Sequence, residues 1–165
     1  MKGEKIMENY MKLEIAALGE NESFARSAVA AFALCLNPSL SELSDIKTAV
    51  SEAVTNCIVH AYANRSDKDK ILIECRAEEG AQGSILHITV TDGGCGIEDV
   101  EKAMQPFYTT LENDERSGMG FTIMQTFMDG FSLDSSREKG TKVSMFRRIN
   151  AAPSNKGEIK ERVDA

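Results

Sequence analysis

Leu43, Ile46, Val50, Ala53, Val54, Cys57, Ile58 and Ala61 recur at steps of three and four residues. That spacing gathers them on one stripe of an amphipathic helix. Ser39-Leu40-Ser41-Glu42 supplies a capping box for its start, with Pro38 just outside. Glu52, Asn56 and His60 succeed one another at four-residue steps on this helix, which predicts that they share a face. A carboxylate and a carboxamide one turn apart can act together, Glu52 accepting a proton and the Asn56 side-chain oxygen ligating a hard cation. Polar residues so spaced usually form no more than a solvated face, so the pair gains meaning only beside the glycine-rich stretches downstream.

There are two such stretches. A strand over Ser84 to Thr91, with Leu86, Ile88 and Val90 turned inward, runs into Asp92-Gly93-Gly94-Cys95-Gly96-Ile97. An acid at a strand end followed by glycines lets a ligand come close to the backbone, and the carboxylate can accept from an exocyclic amine such as adenine's. Further on, Arg116-Ser117-Gly118-Met119-Gly120-Phe121 opens a segment in which Met119, Phe121, Ile123, Met124, Phe127 and Met128 show helical spacing. Free backbone N–H groups at a helix start can hold phosphates. Neither stretch has the Walker or dinucleotide-binding pattern. Between them lies a long connection, residues 97 to 117, of the length and acidity expected of a lid.

The remaining elements frame these stretches. Tyr10 to Ala17 alternates as a strand, and Asn21 is placed to cap a helix to about Leu36. Phe24, Ala28, Val29, Ala31, Phe32, Cys35 and Leu36 form its apolar face, leaving Glu22, Arg26 and Ser27 outside. Lys70 to Ala77 pairs with the strand ending at Thr91, and His87 lies on that strand's outer face as a surface residue. A last hairpin joins Phe131–Asp134 to Thr141–Ile149. Residues 1–150 thus read as one domain. The polar residues 151–165, with no apolar period, are expected to be disordered.

A formal charge of −7 over 165 residues, with no long basic stretch, argues against a general nucleic-acid binder. No apolar run approaches a membrane span, and the N-terminus lacks the apolar segment of a signal peptide. Cysteines 35, 57, 75 and 95 form no CxxC pair, which points to free thiols and a cytoplasmic location, not to zinc.

Glu52-x-x-x-Asn56, Asp92-x-Gly94-x-Gly96 and Gly118-x-Gly120, in this order, resemble the conserved boxes of the gyrase–Hsp90–histidine kinase–MutL ATPase superfamily. Within it, Asn21-Glu22-Ser23-Phe24-Ala25-Arg26, Ser51 to Asn56, Phe107-Tyr108-Thr109-Thr110 and Glu115 to Met124 are similar to the small anti-sigma serine kinases of sporulating bacteria. The resemblance covers roughly residues 10 to 148; Gly94-Cys95 departs modestly from the first glycine box.

The resemblance implies an α+β fold: a two-layer α/β sandwich of the Bergerat type, with a mixed or mainly antiparallel sheet, helices on one face and an ATP lid. It implies an ATP-Mg²⁺-dependent kinase acting on a serine of an anti-anti-sigma protein, and a homodimer that silences a sporulation sigma factor of the F type. Glu52 would be the general base and Asn56 the Mg²⁺ ligand. Asp92, Gly94, Gly96, Ile97 and Thr141 would hold the adenine end, and Thr109, Arg116, Ser117, Gly118, Met119, Gly120 and Phe121 the lid and phosphates. Arg26 matches a position that contacts both protein partners. A two-component histidine kinase is disfavoured because no His precedes His60. A stress-response anti-sigma kinase and a nucleotide-dependent binding module without kinase activity remain as alternatives.

Overall fold

The computed structural model describes residues 7–62, 66, 68–80, 83–107 and 118–150. Strand β1 (Met7–Ala16) is followed by helix α1 (Glu20–Ala33), which tightens into a 3₁₀ turn at Leu34–Leu36. Helix α2 (Leu40–Asn56) passes directly into a π turn, Cys57–Ala61. The hairpin of β2 (Lys70–Gly80) and β3 (Gly83–Asp92) comes next, then the short helix α3 (Val100–Ala103) and α4 (Gly120–Phe127). Strands β4 (Gly130–Ser136) and β5 (Gly140–Ile149) complete the fold. No helix among the described residues is long and apolar enough to cross a membrane.

The five strands form one sheet in the order β1-β2-β3-β5-β4, and every neighbouring pair is antiparallel. The choice between a mixed and an antiparallel sheet is thereby settled. Alternation sorts the two faces. Ile71, Ile73, Cys75 and Ala77 of β2, Leu86, Ile88 and Val90 of β3, and Val143 and Met145 of β5 are buried beneath the helices. Outward positions carry ion pairs such as Lys12–Glu74 (3.7 Å) and Lys70–Glu14 (2.6 Å). His87 faces outward as expected, half-buried beside Glu78 and the Phe146 ring.

Helix α2 lies at the centre of the helical layer, packed between α1 and α4. Its start is the expected capping box. The Ser39 hydroxyl accepts from the Glu42 amide (3.2 Å), and the Ser39 amide donates to the Glu42 carboxylate (2.8 Å). Ile46, Ala49, Val50, Ala53 and Val54 are buried to within 1%.

Helix α1 departs from its sequence reading. It begins at Glu20 behind Gly19, and Asn21 is no cap: its side-chain amide donates to the Ala16 carbonyl (3.0 Å), tying the helix to β1. The buried row is Ala25, Val29, Ala33 and Leu36, while Phe24, Ala31 and Cys35 are exposed. An apolar face that broad does not fix a helix's rotation. Close packing against α2 selects the row with two alanines and turns Phe24 outward. All four cysteines are free thiols, with Cys57 and Cys75 buried.

Candidate nucleotide-binding site

The last residue of β3, Asp92, is the one charged side chain buried among the described residues, at 3% exposure. It lies across from Ile71 of β2 and Thr141 of β5. One carboxylate oxygen accepts from the Gly94 amide (2.9 Å) and from the Thr141 amide (3.3 Å). The Cys57 thiol lies beside the same carboxyl. Burial pushes Asp92 above the usual carboxylate range, and the Gly94 amide, the thiol and the Thr141 amide offset this only in part. Burial, together with the neighbouring Asp92, pushes the Cys57 thiol well up, so it stays a neutral donor. Asp92 is therefore a held, desolvated acceptor, costly unless another donor completes it.

Around Asp92 the backbone leaves no room for side chains. A Cβ on Gly94 would lie 2.1 Å from the Ala61 carbonyl oxygen, the same oxygen that accepts from the Cys95 amide at 2.7 Å. Gly96 has φ +68° and presses on the Ser136 carbonyl. The two glycines of this box are thus required first by the path of the loop itself. Ile97 is fixed by its amide, which donates to the Ser135 hydroxyl (2.8 Å). Ser135 in turn meets the Thr141 hydroxyl at 2.8 Å. Ser135 and Cys57 were not apparent from the sequence, because their place in the corner depends on strand register and on the π turn.

The second corner forms where α4 begins. A Cβ on Gly120 would lie 3.2 Å from a Glu52 carboxylate oxygen, 3.2 Å from the Asn56 side-chain nitrogen and 3.3 Å from its oxygen. Glu52, Asn56 and the second glycine box thus meet, as their order in the chain led one to expect. Gly118 has φ +63°, and its carbonyl accepts from the Phe107 amide (3.1 Å). Met119 is the N-cap of α4, and Phe121 rests against Phe131. The consecutive residues Asn56 and Cys57 therefore face the two corners. His60 lies beyond Asn56 in the π turn Cys57–Ala61, where the helical step is longer than in α2. Thr109, Arg116 and Ser117 lie outside the described residues.

Among the described residues no cluster of three His, Cys, Asp or Glu side chains could hold a metal alone. Asn56 offers a single neutral oxygen, which suits a cation that takes its other ligands from phosphates and water. Arg26, half-buried on α1, is held by Glu22 (3.6 Å) and by the Ser23 hydroxyl (3.3 Å). It lines a cleft of about 420 Å³ whose wall also includes Leu43, Lys47, Ser51 and Glu52. Arg26 and Glu52 thus open onto one space.

Residues 15–147 match the family model described as a histidine kinase-like ATPase domain. An anti-sigma F factor from Clostridium botulinum (strain Eklund 17B / Type B) is 52% identical over 143 residues, 87% of this chain and 96% of that protein. One from Thermoanaerobacter sp. (strain X514) is 51% identical over the same shares. The chain belongs to the anti-sigma F factor family. A solved structure of the RsbU and RsbW domains of Rv1364c from Mycobacterium tuberculosis shares the fold, with a TM-score of 0.60 at 17% identity. That likeness covers 86% of this chain and 32% of that one. The match to a histidine kinase-like ATPase domain implies that the chain binds a nucleotide.

Proposed function

We propose that this chain is an anti-sigma factor and an ATP-dependent protein serine kinase, which binds a sporulation sigma factor of the F type and phosphorylates a serine of an anti-anti-sigma protein. The observation that carries the reading is the convergence of Glu52, Asn56 and Gly120, with Glu52 opening onto the same cleft as Arg26. Phosphoryl transfer asks little of a protein beyond charge neutralisation, positioning and an oriented nucleophile. Asp92 and Thr141 take the adenine end, with Gly94, Gly96 and Ile97 shaping the loop beside it. The start of α4 from Gly118 to Phe121 takes the phosphates, and Thr109, Arg116 and Ser117 are assigned to the same nucleotide. Bound Mg²⁺ supplies charge neutralisation on the phosphates, and Asn56 provides the protein's oxygen to it. Glu52 accepts the proton of the incoming serine hydroxyl.

Arg26 anchors either partner at the mouth of the cleft, so the two compete for one surface. Its planar guanidinium suits a carboxylate on the partner. The protein works in the cytoplasm as a homodimer, without direct contact to nucleic acid or membrane. The test is transfer of label from γ-labelled ATP with Mg²⁺ to an anti-anti-sigma protein. The expected product is an acid-stable phosphoserine, absent when the acceptor serine is replaced by alanine. A protein that binds ATP and captures the sigma factor but transfers no label would be a binding module, and the kinase reading would fall.

A further inference from the structure

Tyr62 follows the π turn and was assigned no part in the site from the sequence. Its hydroxyl donates to the Lys70 carbonyl at 2.6 Å and accepts from the Gly93 amide at 3.1 Å. Those two backbone groups occupy a particular place. The β2–β3 ladder ends at the pair Ile71 and Asp92, so Lys70 and Gly93 are where its next rung would fall. One hydroxyl thus stands between an amide and a carbonyl that a continuing ladder would join directly. The chain leaves the sheet at this splice, immediately after Asp92. Gly94 then turns back to donate to the Asp92 carboxylate, and Cys95 binds the Ala61 carbonyl one residue before Tyr62.

We propose that Tyr62 is a positioning residue for adenine recognition, its hydroxyl splicing the β2–β3 ladder open so that Asp92 presents its carboxylate to the exocyclic amine of the base. The inference rests on the nucleotide reading of the two corners. Like any tyrosine the hydroxyl is neutral in the physiological range, and burial raises its pKa further, which preserves its donor role. Without the hydroxyl, Gly93 and Lys70 either pair directly or take up water. Either arrangement moves the amides that set the Asp92 carboxylate, while the ring's packing is kept.

The experiment compares Tyr62→Phe with the unaltered chain by calorimetry, using ATP and inosine triphosphate, whose base lacks the exocyclic amine. ATP affinity should fall roughly three- to tenfold, the scale of one net hydrogen bond. Inosine triphosphate affinity should change less than about twofold on the same scale. In an Asp92→Asn background, Tyr62→Phe should add nothing further to the loss of ATP affinity. Equal losses for the two nucleotides, or an additive loss in the double variant, would make Tyr62 merely structural and overturn the proposal. Unchanged ATP affinity would overturn it as well. If the unaltered chain binds neither nucleotide, the nucleotide reading itself fails, which distinguishes the two failures.

Discussion

Gly120 stands so close to Glu52 that a Cβ placed on it would lie 3.2 Å from a carboxylate oxygen. Both atoms nearest that position, on Glu52 and on Asn56, are the ends of side chains able to yield by a few tenths of an ångström. Gly120→Ala should therefore fold, helped by alanine's advantage of up to about 1 kcal/mol in a helix. The same displacement reaches the groups assigned to proton transfer and to the cation. Phosphotransfer should fall on the order of 10²-fold. Thermal unfolding and label transfer on one preparation check both halves.

Gly94→Ala should behave in the opposite way. The atom that its Cβ would strike, 2.1 Å away, is the Ala61 backbone carbonyl oxygen, which cannot yield without moving the π turn. Stability should drop by about 1–3 kcal/mol, as for overpacking elsewhere. Denaturant unfolding without nucleotide measures this directly.

Asp92 predicts a trade between stability and function. Burial raises its pKa in the folded state, so the native fold prefers the neutral acid. The ionised form thus costs stability, fully so above the folded pKa, and the cost disappears below the unfolded value of about 3.9. Asp92→Asn should lose ATP binding yet unfold at an equal or higher temperature at neutral pH, with that difference shrinking toward pH ~4. A variant whose deficit in stability grew with pH would contradict this role for Asp92.

Most of the fold is legible in the chain because α2 and the β2–β3 hairpin announce themselves locally. Ser39 and Glu42 close their capping box within four residues, and buried Ile71, Ile73 and Cys75 alternate with Lys70, Leu72, Glu74 and Arg76. Glu52, Asn56, Asp92 and Gly120 stood out in the chain through their order, and of these Glu52, Asn56 and Gly120 come together. The start and rotation of α1 were not, since Asn21 bonds back to β1 and two alanines outweigh Phe24 in the packing. Neither was the π turn, whose consequences for Cys57 and Tyr62 appear only once Gly94 is seen against Ala61. Contacts between residues thirty or more positions apart leave no local pattern.

Arg26 offers a test of the shared partner surface. Arg26→Ala should weaken capture of one or both partners by roughly 2–4 kcal/mol, if its ion pair with the partner is desolvated, and leave ATP binding unchanged. Arg26→Lys should not restore it, since lysine lacks the bidentate fork. Glu22 already holds this guanidinium at 3.6 Å and competes for it. Glu22→Gln should therefore strengthen capture, by roughly fivefold, the scale of an ion pair near the surface. Pull-downs of each partner, with nucleotide titrations alongside, read out all three variants.

Glu52, with Asn56 and Gly120 beside it, is the residue on which the serine kinase reading stands or falls, through proton transfer from the acceptor hydroxyl. Glu52→Gln, assayed in parallel for ATP affinity and for label transfer to the anti-anti-sigma serine, isolates that step. ATP affinity should stay close to that of the unaltered chain while transfer falls roughly 10²–10⁴-fold. Near-normal transfer, or a loss of transfer fully explained by lost ATP binding, would contradict the assignment.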